Sequence, residues 1–507
     1  MNMERIRNKK LLEKIKSAEE AAEFIKDGMN VATSGFTPAG YPKAVPLALT
    51  QKAKEHPLKI NLITGASVGK ELDGALARAG VVQKRFPYQT NADMRNLANS
   101  NQVEYFDLHL SHVAQQIRAG FYGSIDIAIV EACAITEEGH IIPTTSVGNT
   151  PTFVQEAKSV IIEINTSQPM ELEGFHDIYI PQGPSYKNPI NPIPIVHPAD
   201  RIGTTYIEVD PEKVVAVVIT DIKDSVNPRK DIDETSFQMA NNLLDFFAHE
   251  IKKGRLPQNL LPLQSGVGNV ANAVLNGLMD SPYENLVFYS EVIQDSVLNL
   301  IDEGKATFAS GCSVTLTSDG LEHFLNNLSA YSGKIILRPI EITNNPVIIR
   351  RLGVIAMNTA LEVDIYGHVN STHIMGTKIM NGIGGSGDFT RNAYLSIFTT
   401  PSTVKKGSIS SIVPMVSHVD HTEHDVHVII TEHGVADLRG LAPRQRAEVI
   451  IENCAHPDYR PLLKDYLKRA IKNNGQHEPH LLKEALSWHD NFVSHGTMLI
   501  SDREILT

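Results

Sequence analysis

Short runs of β-branched residues alternate with amphipathic or polar stretches along most of the chain. KINLITG (59–65), IDIAIVEA (125–132), SVIIEIN (159–165) and KVVAVVIT (213–220) are apolar almost without interruption. Such runs predict parallel strands buried on both faces, because a strand with one wet face would alternate. Ahead of them, Ser17 and Glu20 have capping-box spacing, with Ala21, Phe24 and Ile25 on one face of the predicted helix and Gly28 to stop it. MNVATSGF (29–36) followed by TPAGYPKAVPLAL (37–49) reads as strand, glycine turn and helix.

Residues 221–235, DIKDSVNPRKDIDET, break the alternation and bury nothing obvious, which marks a linker. Phe237, Ala240, Leu243, Leu244 and Phe247 then form one helical stripe that Gly254 ends. The α/β pattern resumes with PLQSGVGNVANAVLNGL (262–278) as turn and helix, and with NLVFYSEV, ATFAS, KIILRPI and VHVIITE as strands. Beyond about residue 440 the chain turns polar and helical, with its one tryptophan at Trp488. The expected organisation is an N-terminal α/β domain at 1–220, a linker at 221–235 and a C-terminal α/β domain at 236–507, with parallel-containing sheets and a helical tail.

Composition narrows the function classes. The chain has 507 residues, 46 Lys plus Arg against 58 Asp plus Glu, and a net charge of −12. Charge-driven binding to nucleic acid or to anionic lipid is therefore disfavoured. Cys133, Cys312 and Cys454 are sparse and far apart, which is no disulfide framework and suits a reducing compartment. The N-terminus lacks the apolar centre of a signal peptide, and no window holds 18 uninterrupted apolar residues. A cytoplasmic protein free of membrane is expected, with small molecules as its partners.

Four stretches could carry chemistry. Gly266-Val267-Gly268-Asn269-Val270-Ala271 sits between a short apolar run and a helix, and reads as GxGxxA. Glu291 lies 291 − 268 = 23 residues beyond Gly268, at a strand end, where a nicotinamide enzyme keeps its ribose-binding acid. A dinucleotide-dependent oxidoreductase and a plain tight turn both remain open on that pattern. Asn381-Gly382-Ile383-Gly384-Gly385-Ser386-Gly387 is a second glycine loop, whose backbone must touch something or sit free at the surface. Glu291 itself reads as a cap, an ion-pair partner or a reactive group, and residue type alone favours the first two, since most carboxylates are structural or solvated. His418, His421, His424 and His427 recur every third residue, yet neither a strand nor a helix puts them on one face, and no HExxH or cysteine accompanies them. No metal is expected there. Neither a Walker A motif nor a GxSxG elbow is present.

Taken in order, SGFTPAGYPK (34–43), GVGNVANAV (266–274), YSEVIQD (289–295), EITNNP (341–346), NGIGGSGDF (381–389) and SHVDHTEHDVHVIITEHGVADLRGL (417–441) resemble the acetyl-CoA hydrolase/transferase branch of the class I coenzyme A transferases. The resemblance implies two α/β domains with the active site in the cleft between them. It implies that Glu291 is the nucleophile, forming an acyl-glutamyl anhydride and then a glutamyl-CoA thioester. The backbone N–H groups of Val267 and Gly385 would be oxyanion donors. Gly266, Val267, Gly268, Asn269 and Val270 would line the CoA path with Asn381, Gly385 and Lys405, while Asn344 and Glu432 are further polar site positions. Gly35, Phe36 and Thr37 would close the opposite wall. No bound cofactor and no metal are implied, since coenzyme A enters as substrate. The implied activity is CoA transfer between a short acyl-CoA and a small carboxylate, with acetyl-CoA hydrolysis as the alternative.

Overall fold

The computed structural model describes residues 3–181, 191–226, 232–266 and 268–499. Its contacts divide the chain into two compact units, Met1–Arg229 with Val287–Leu352, and Lys230–Leu286 with Gly353–Thr507.

The first unit is built on seven strands: β1 (Asn30–Thr33), β2 (Ile60–Thr64), β3 (Val82–Phe86), β4 (Glu104–Tyr105), β5 (Ile127–Ala132), β6 (Ser159–Asn165) and β7 (Val214–Thr220). They lie in the order β4-β3-β2-β1-β5-β6-β7. Every pairing is parallel, as the unbroken Val/Ile runs require: β1 with β2 and β5, β2 with β3, β3 with β4, β5 with β6, and β6 with β7. All six residues of β5 are buried. The chain leaves β1 in one direction through β2, β3 and β4, then returns to its other side at β5. In open parallel sheets the carboxyl ends at such a reversal are where ligands sit.

Helix α1 spans Ala18–Ala22. The Ser17 hydroxyl accepts from Glu20 N, and the Glu20 carboxylate accepts from Ser17 N, so the capping box forms. The helix ends before the expected stop: Gly28 instead takes a φ of +78° and donates to Lys59 O at the entry to β2. Helix α2 covers Ala44–Glu55, and α3 covers Leu110–Arg118 with Leu110, Val113, Ala114 and Ile117 buried.

Residues 287–352 pack with this first unit, whereas a boundary at 236 placed them in the second domain. The cause is a set of bonds that run-length patterns cannot reveal. Strands Ala306–Gly311 and Ile335–Leu337 pair in parallel. Leu337 N donates to Phe175 O and Asp177 N to Leu337 O, both at 2.9 Å. The wholly buried Arg338 then pairs with Asp177.

In the second unit, strands Leu263–Ser265, Ile355–Thr359, Leu395–Thr399 and Val428–Thr431 run parallel, and Gly434–Asp437 closes antiparallel on the last. Helix Glu234–Lys252 buries Ala240, Leu243, Phe246 and Phe247. Phe237, expected on that stripe, is 54% exposed, because the buried face runs through Ser236, Met239, Ala240 and Leu243 and turns Phe237 away from it. The tail forms helices Pro443–Cys454, Arg460–Asn474 and Ser487–His495. Trp488 joins Val363, Ile365, Phe398, Ile450 and Leu463 in one apolar cluster. Among the described residues no helix is long and apolar enough to cross a membrane.

Candidate active site

Glu291 is fixed through its own backbone. It follows strand Leu286–Tyr289 and precedes Val292–Ile293, which pairs in parallel with Ser313–Val314. The Glu291 carbonyl accepts from Cys312 N at 2.7 Å and Ser313 N at 3.1 Å. Its side chain is half-buried, and Asn344 Nδ2 donates to Glu291 Oε1 at 2.6 Å. That amide has little freedom to turn. Asn344 is wholly buried at the C-cap of helix Ile340–Thr343, and the Thr343 hydroxyl donates to its Oδ1 at 2.9 Å. The helix is tied in turn to α3, where Arg118 Nη1 donates to Glu341 Oε2 at 3.0 Å. Burial raises the Glu341 carboxyl and the Arg118 guanidinium opposes that rise. A carboxylate with one oxygen engaged by a rigid amide is oriented for work that a mobile surface glutamate could not do.

Beneath Glu291 lies an apolar floor of Phe36, Ala66, Leu110, Val292, Cys312 and Ile340. The loop after β1 is thus brought onto the Glu291 strand. Gly35 is needed there: its φ is +104°, and a Cβ would lie 2.7 Å from Tyr41 Cβ and 2.8 Å from Ser67 Oγ. Thr37, also left-handed at φ 53°, shares a hydrogen bond between its hydroxyl and that of Thr315, which contacts Ser313 Oγ at 3.1 Å. Cys312 does not compete as a nucleophile. Burial pushes its thiol up, the Gly148 N–H opposes this, and the Glu291 charge adds to it.

The same loop is held from below by buried charge. Lys43 Nζ pairs with Glu131 and lies 2.7 Å from Asp224, with all three side chains sealed from solvent. Asp224 also accepts from Gly40 N, while Ser34 Oγ donates to Gly40 O at 2.8 Å. Burial raises the Glu131 carboxyl to about 7, against the pull of Lys43. Glu163 accepts from Lys43 N, Ala44 N and Val45 N, anchoring the start of α2. The loop 34–43 is therefore a rigid support.

The remaining candidates belong to the second unit. Gly266 N donates to Met357 O at 3.0 Å, and Gly268, at φ 140°, caps the helix Asn269–Met279, in which Val270 is buried. Val267 lies outside the described residues. Gly385 caps the short helix Ser386–Thr390, and half-buried Asn381 stands just ahead of it. Glu432 accepts from Ser402 N at 2.9 Å and from the Ser402 hydroxyl. Lys405 has a φ of 50° and sets its ammonium 4.9 Å above the Phe492 ring.

The four recurring histidines take separate partners. His418 lies 3.3 Å from Asp420 and packs on the His373 ring. Buried His421 shares a hydrogen bond with Ser386 Oγ at 3.2 Å and packs on Phe398. His424 pairs with Glu423, and His427 Nδ1 accepts from Ser396 N at 3.1 Å. Burial, then Arg439, lowers the His427 imidazole. Among the described residues the group with metal-ligand spacing is His368, Glu423 and Glu478, which contains none of the four. His368 in that group is already paired through Nδ1 to Asp364 and through Nε2 to Glu423.

Within the first unit, then, Gly35, Phe36, Thr37, Glu291 and Asn344 come together. Cys312 as a site residue, and Ser313, Thr315 and Gly148, carry no motif in the sequence. The strings TTSVGNT (144–150) and GCSVTL (311–316), rich in small and hydroxylated residues yet buried, were the available signal.

Residues 1–219 match the acetyl-CoA hydrolase/transferase N-terminal domain and residues 320–467 the corresponding C-terminal domain. The chain is 56% identical to a succinyl-CoA:acetate CoA-transferase of Clostridium kluyveri, over 97% of this chain and 92% of that protein. It is 45% identical to an acetyl-CoA hydrolase of Candida glabrata, over 98% of this chain and 97% of that one. The fold is shared with a 4-hydroxybutyrate CoA-transferase of Porphyromonas gingivalis at a TM-score of 0.63 and 22% identity, covering 90% of this chain and 98% of that chain.

Proposed function

The chain belongs to the acetyl-CoA hydrolase/transferase family, and from that premise we propose that it moves coenzyme A between a short acyl-CoA, such as acetyl-, succinyl-, propionyl- or butyryl-CoA, and a small carboxylate such as acetate. The observation that carries this reading is the Glu291 carboxylate held by the Asn344 amide at 2.6 Å. Named relatives include both transferases and hydrolases, so an enzyme acting on acyl-CoA thioesters is the common ground.

The chemistry needs no net proton. The second Glu291 oxygen attacks the thioester carbonyl, the C–S bond breaks and CoA leaves as thiolate. The thiolate attacks the glutamyl carbonyl of the resulting anhydride, the C–O bond breaks and the acyl carboxylate departs. An acceptor carboxylate then reverses both steps on the glutamyl-CoA thioester. When the glutamyl carbonyl is attacked, the oxygen that Asn344 touches gains negative charge, and a positioned N–H there is worth about 2.7–4 kcal/mol in comparable enzymes. Gly385, at the head of a helix, is read as a backbone oxyanion donor, as is Val267. Gly266 to Val270, Asn381 and Lys405 are read as the CoA side, and Glu432 holds the chain near Ser402. No tightly bound cofactor takes part. A cytoplasmic homodimer completes the reading.

The test is thioester loss from acetyl-CoA with and without a saturating acid. Ping-pong kinetics are expected, with exchange exceeding hydrolysis by about two orders of magnitude, or roughly 2.7 kcal/mol of barrier. Equal rates would make the protein an acetyl-CoA hydrolase using the same glutamate. Borohydride after incubation with acyl-CoA should inactivate the enzyme by reducing the glutamyl thioester. Titration with NAD in parallel tests the oxidoreductase alternative, which requires saturable binding.

A further inference from the structure

Two carboxamides in the first unit are buried without hydrogen-bond partners. Gln89 is 0% exposed and Asn149 is 2% exposed, and among the described residues neither the oxygen nor the nitrogen of either amide has a partner. Other buried amides of the unit are used: Asn165 Nδ2, for example, donates to Glu131 and to Ile222 O, both at 2.8 Å. An amide carries two donors and an acceptor, and leaving all of them unmet inside a protein is costly, so a group that meets them in the working state is to be sought.

Each is joined to the Glu291 segment through the residue that precedes it. The residue before Gln89, Tyr88, packs on the floor of Phe36, Ala66, Leu110, Val292, Cys312 and Ile340, and Val292 directly follows Glu291. The residue before Asn149, Gly148, donates its N–H to Cys312 Sγ at 3.1 Å and accepts from Ile340 N at 3.0 Å. Cys312 N in turn donates to the Glu291 carbonyl. Gln89 follows the carboxyl end of β3, and Asn149 lies on the connection between β5 and β6. The sheet thus delivers both to the edge at which parallel sheets bind ligands.

We propose that Gln89 and Asn149 line the subsite that receives the carboxylate of the small acid, their amide N–H groups donating to its oxygens while the Phe36–Val292–Ile340 floor takes its carbon chain. This rests on the CoA-transfer reading and adds to it the residues that recognise the acid. Neutral donors leave the acid's charge unneutralised, so its oxygen stays nucleophilic toward the glutamyl-CoA thioester. Hydrogen bonds to an ionised oxygen are the stronger kind, which suits them to selecting a carboxylate.

The experiment is steady-state exchange with Gln89→Met and Asn149→Leu, which keep side-chain volume and remove the polar atoms. The KM for acetate is expected to rise at least tenfold in each, while that for acetyl-CoA moves less than threefold, because the CoA moiety supplies most of its contacts. A purely structural role predicts a changed Tm and an unchanged acetate KM. Acetate KM values within twofold of wild type in both folded variants would overturn the subsite while leaving CoA transfer intact. Gln89→Asn and Asn149→Ser serve where the first pair does not fold, with the same acid-specific rise expected. Acetate-dependent Tm shifts separate the two readings. If wild type shows no exchange but acetate still raises its Tm and not that of Gln89→Met, the transfer reading falls and the subsite stands. No acetate effect on wild type in either assay overturns the subsite.

Discussion

Two stretches of this chain look equally rich in chemistry: YSEVIQD at 289–295, and SHVDHTEHDVH at 417–427. The structure treats them in opposite ways. Glu291 receives Asn344 from one helix, Cys312 and Ser313 from a neighbouring strand, and a floor that includes Phe36 from the loop after β1. The histidines, although close in sequence, diverge to Asp420, Ser386, Glu423 and Ser396. Density along the chain is not convergence in space. An active group is built by distant segments meeting, and four residues at every third position keep one face in neither a strand nor a helix.

The strongest way to break this comparison is at Glu291. Glu291→Gln keeps the volume and the contact with Asn344 while removing the nucleophile, so exchange should fall by about 10³-fold or more with an unchanged circular dichroism spectrum. Near-normal exchange in that variant would reduce Glu291 to a structural carboxylate. Next in size is Asn344→Ala, where a loss of about 10²–10³-fold in kcat is expected from removing one oriented donor. The KM for acyl-CoA should change much less, since the amide acts on the glutamyl oxygen. A larger change in KM than in kcat would assign Asn344 to substrate binding instead.

Much of the architecture was legible before the structure. The unbroken runs around Ile129, Ile162 and Val217 named three parallel strands, and Ser17 with Glu20 named a helix start that forms as drawn. The assignment of 287–352 was not legible. It depends on Leu337 bonding to Phe175 and Asp177, more than 150 residues away, and a local pattern carries no record of such a partner. At the site, the reading of Glu291 as nucleophile and of Gly35 as a wall residue came from family resemblance, while spacing alone pointed Glu291 toward a ribose-binding acid. Cys312, Gly148, Gln89 and Asn149 did not stand out, because their importance lies in burial and in partners made or left unmade.

A smaller effect tests the support under loop 34–43. Burial raises the folded-state Glu131 carboxyl to about 7, against about 4.3 in an unfolded chain. Between those values the native protein binds more protons than the unfolded one. The contribution of this group to stability is therefore complete below about pH 4.3 and is lost as pH rises through about 7. Wild-type Tm should show that decline between pH 5 and 8, and Glu131→Gln should flatten it. Parallel Tm curves for the two proteins would mean that Glu131 is ionised throughout, with Lys43 outweighing its burial.

The last prediction is of no effect at all, and it bears on the other half of the comparison. If the His-rich stretch held a catalytic ion, its imidazoles would need to present ring nitrogens to one point at about 2.0–2.1 Å. His427 instead turns Nδ1 to the Ser396 N–H, and His421 is occupied with Ser386 and the face of Phe398. His424 stands 78% exposed beside Glu423. A carboxylate nucleophile exchanging between thioester and anhydride also asks for no Lewis acid, because both carbonyls are already activated. Exhaustive chelation should accordingly leave CoA exchange within experimental error of the untreated enzyme, and His424→Ala should do the same. Activity that disappears on chelation and returns only with added zinc would show that the stretch converges on a metal after all, and the contrast with Glu291 would fail.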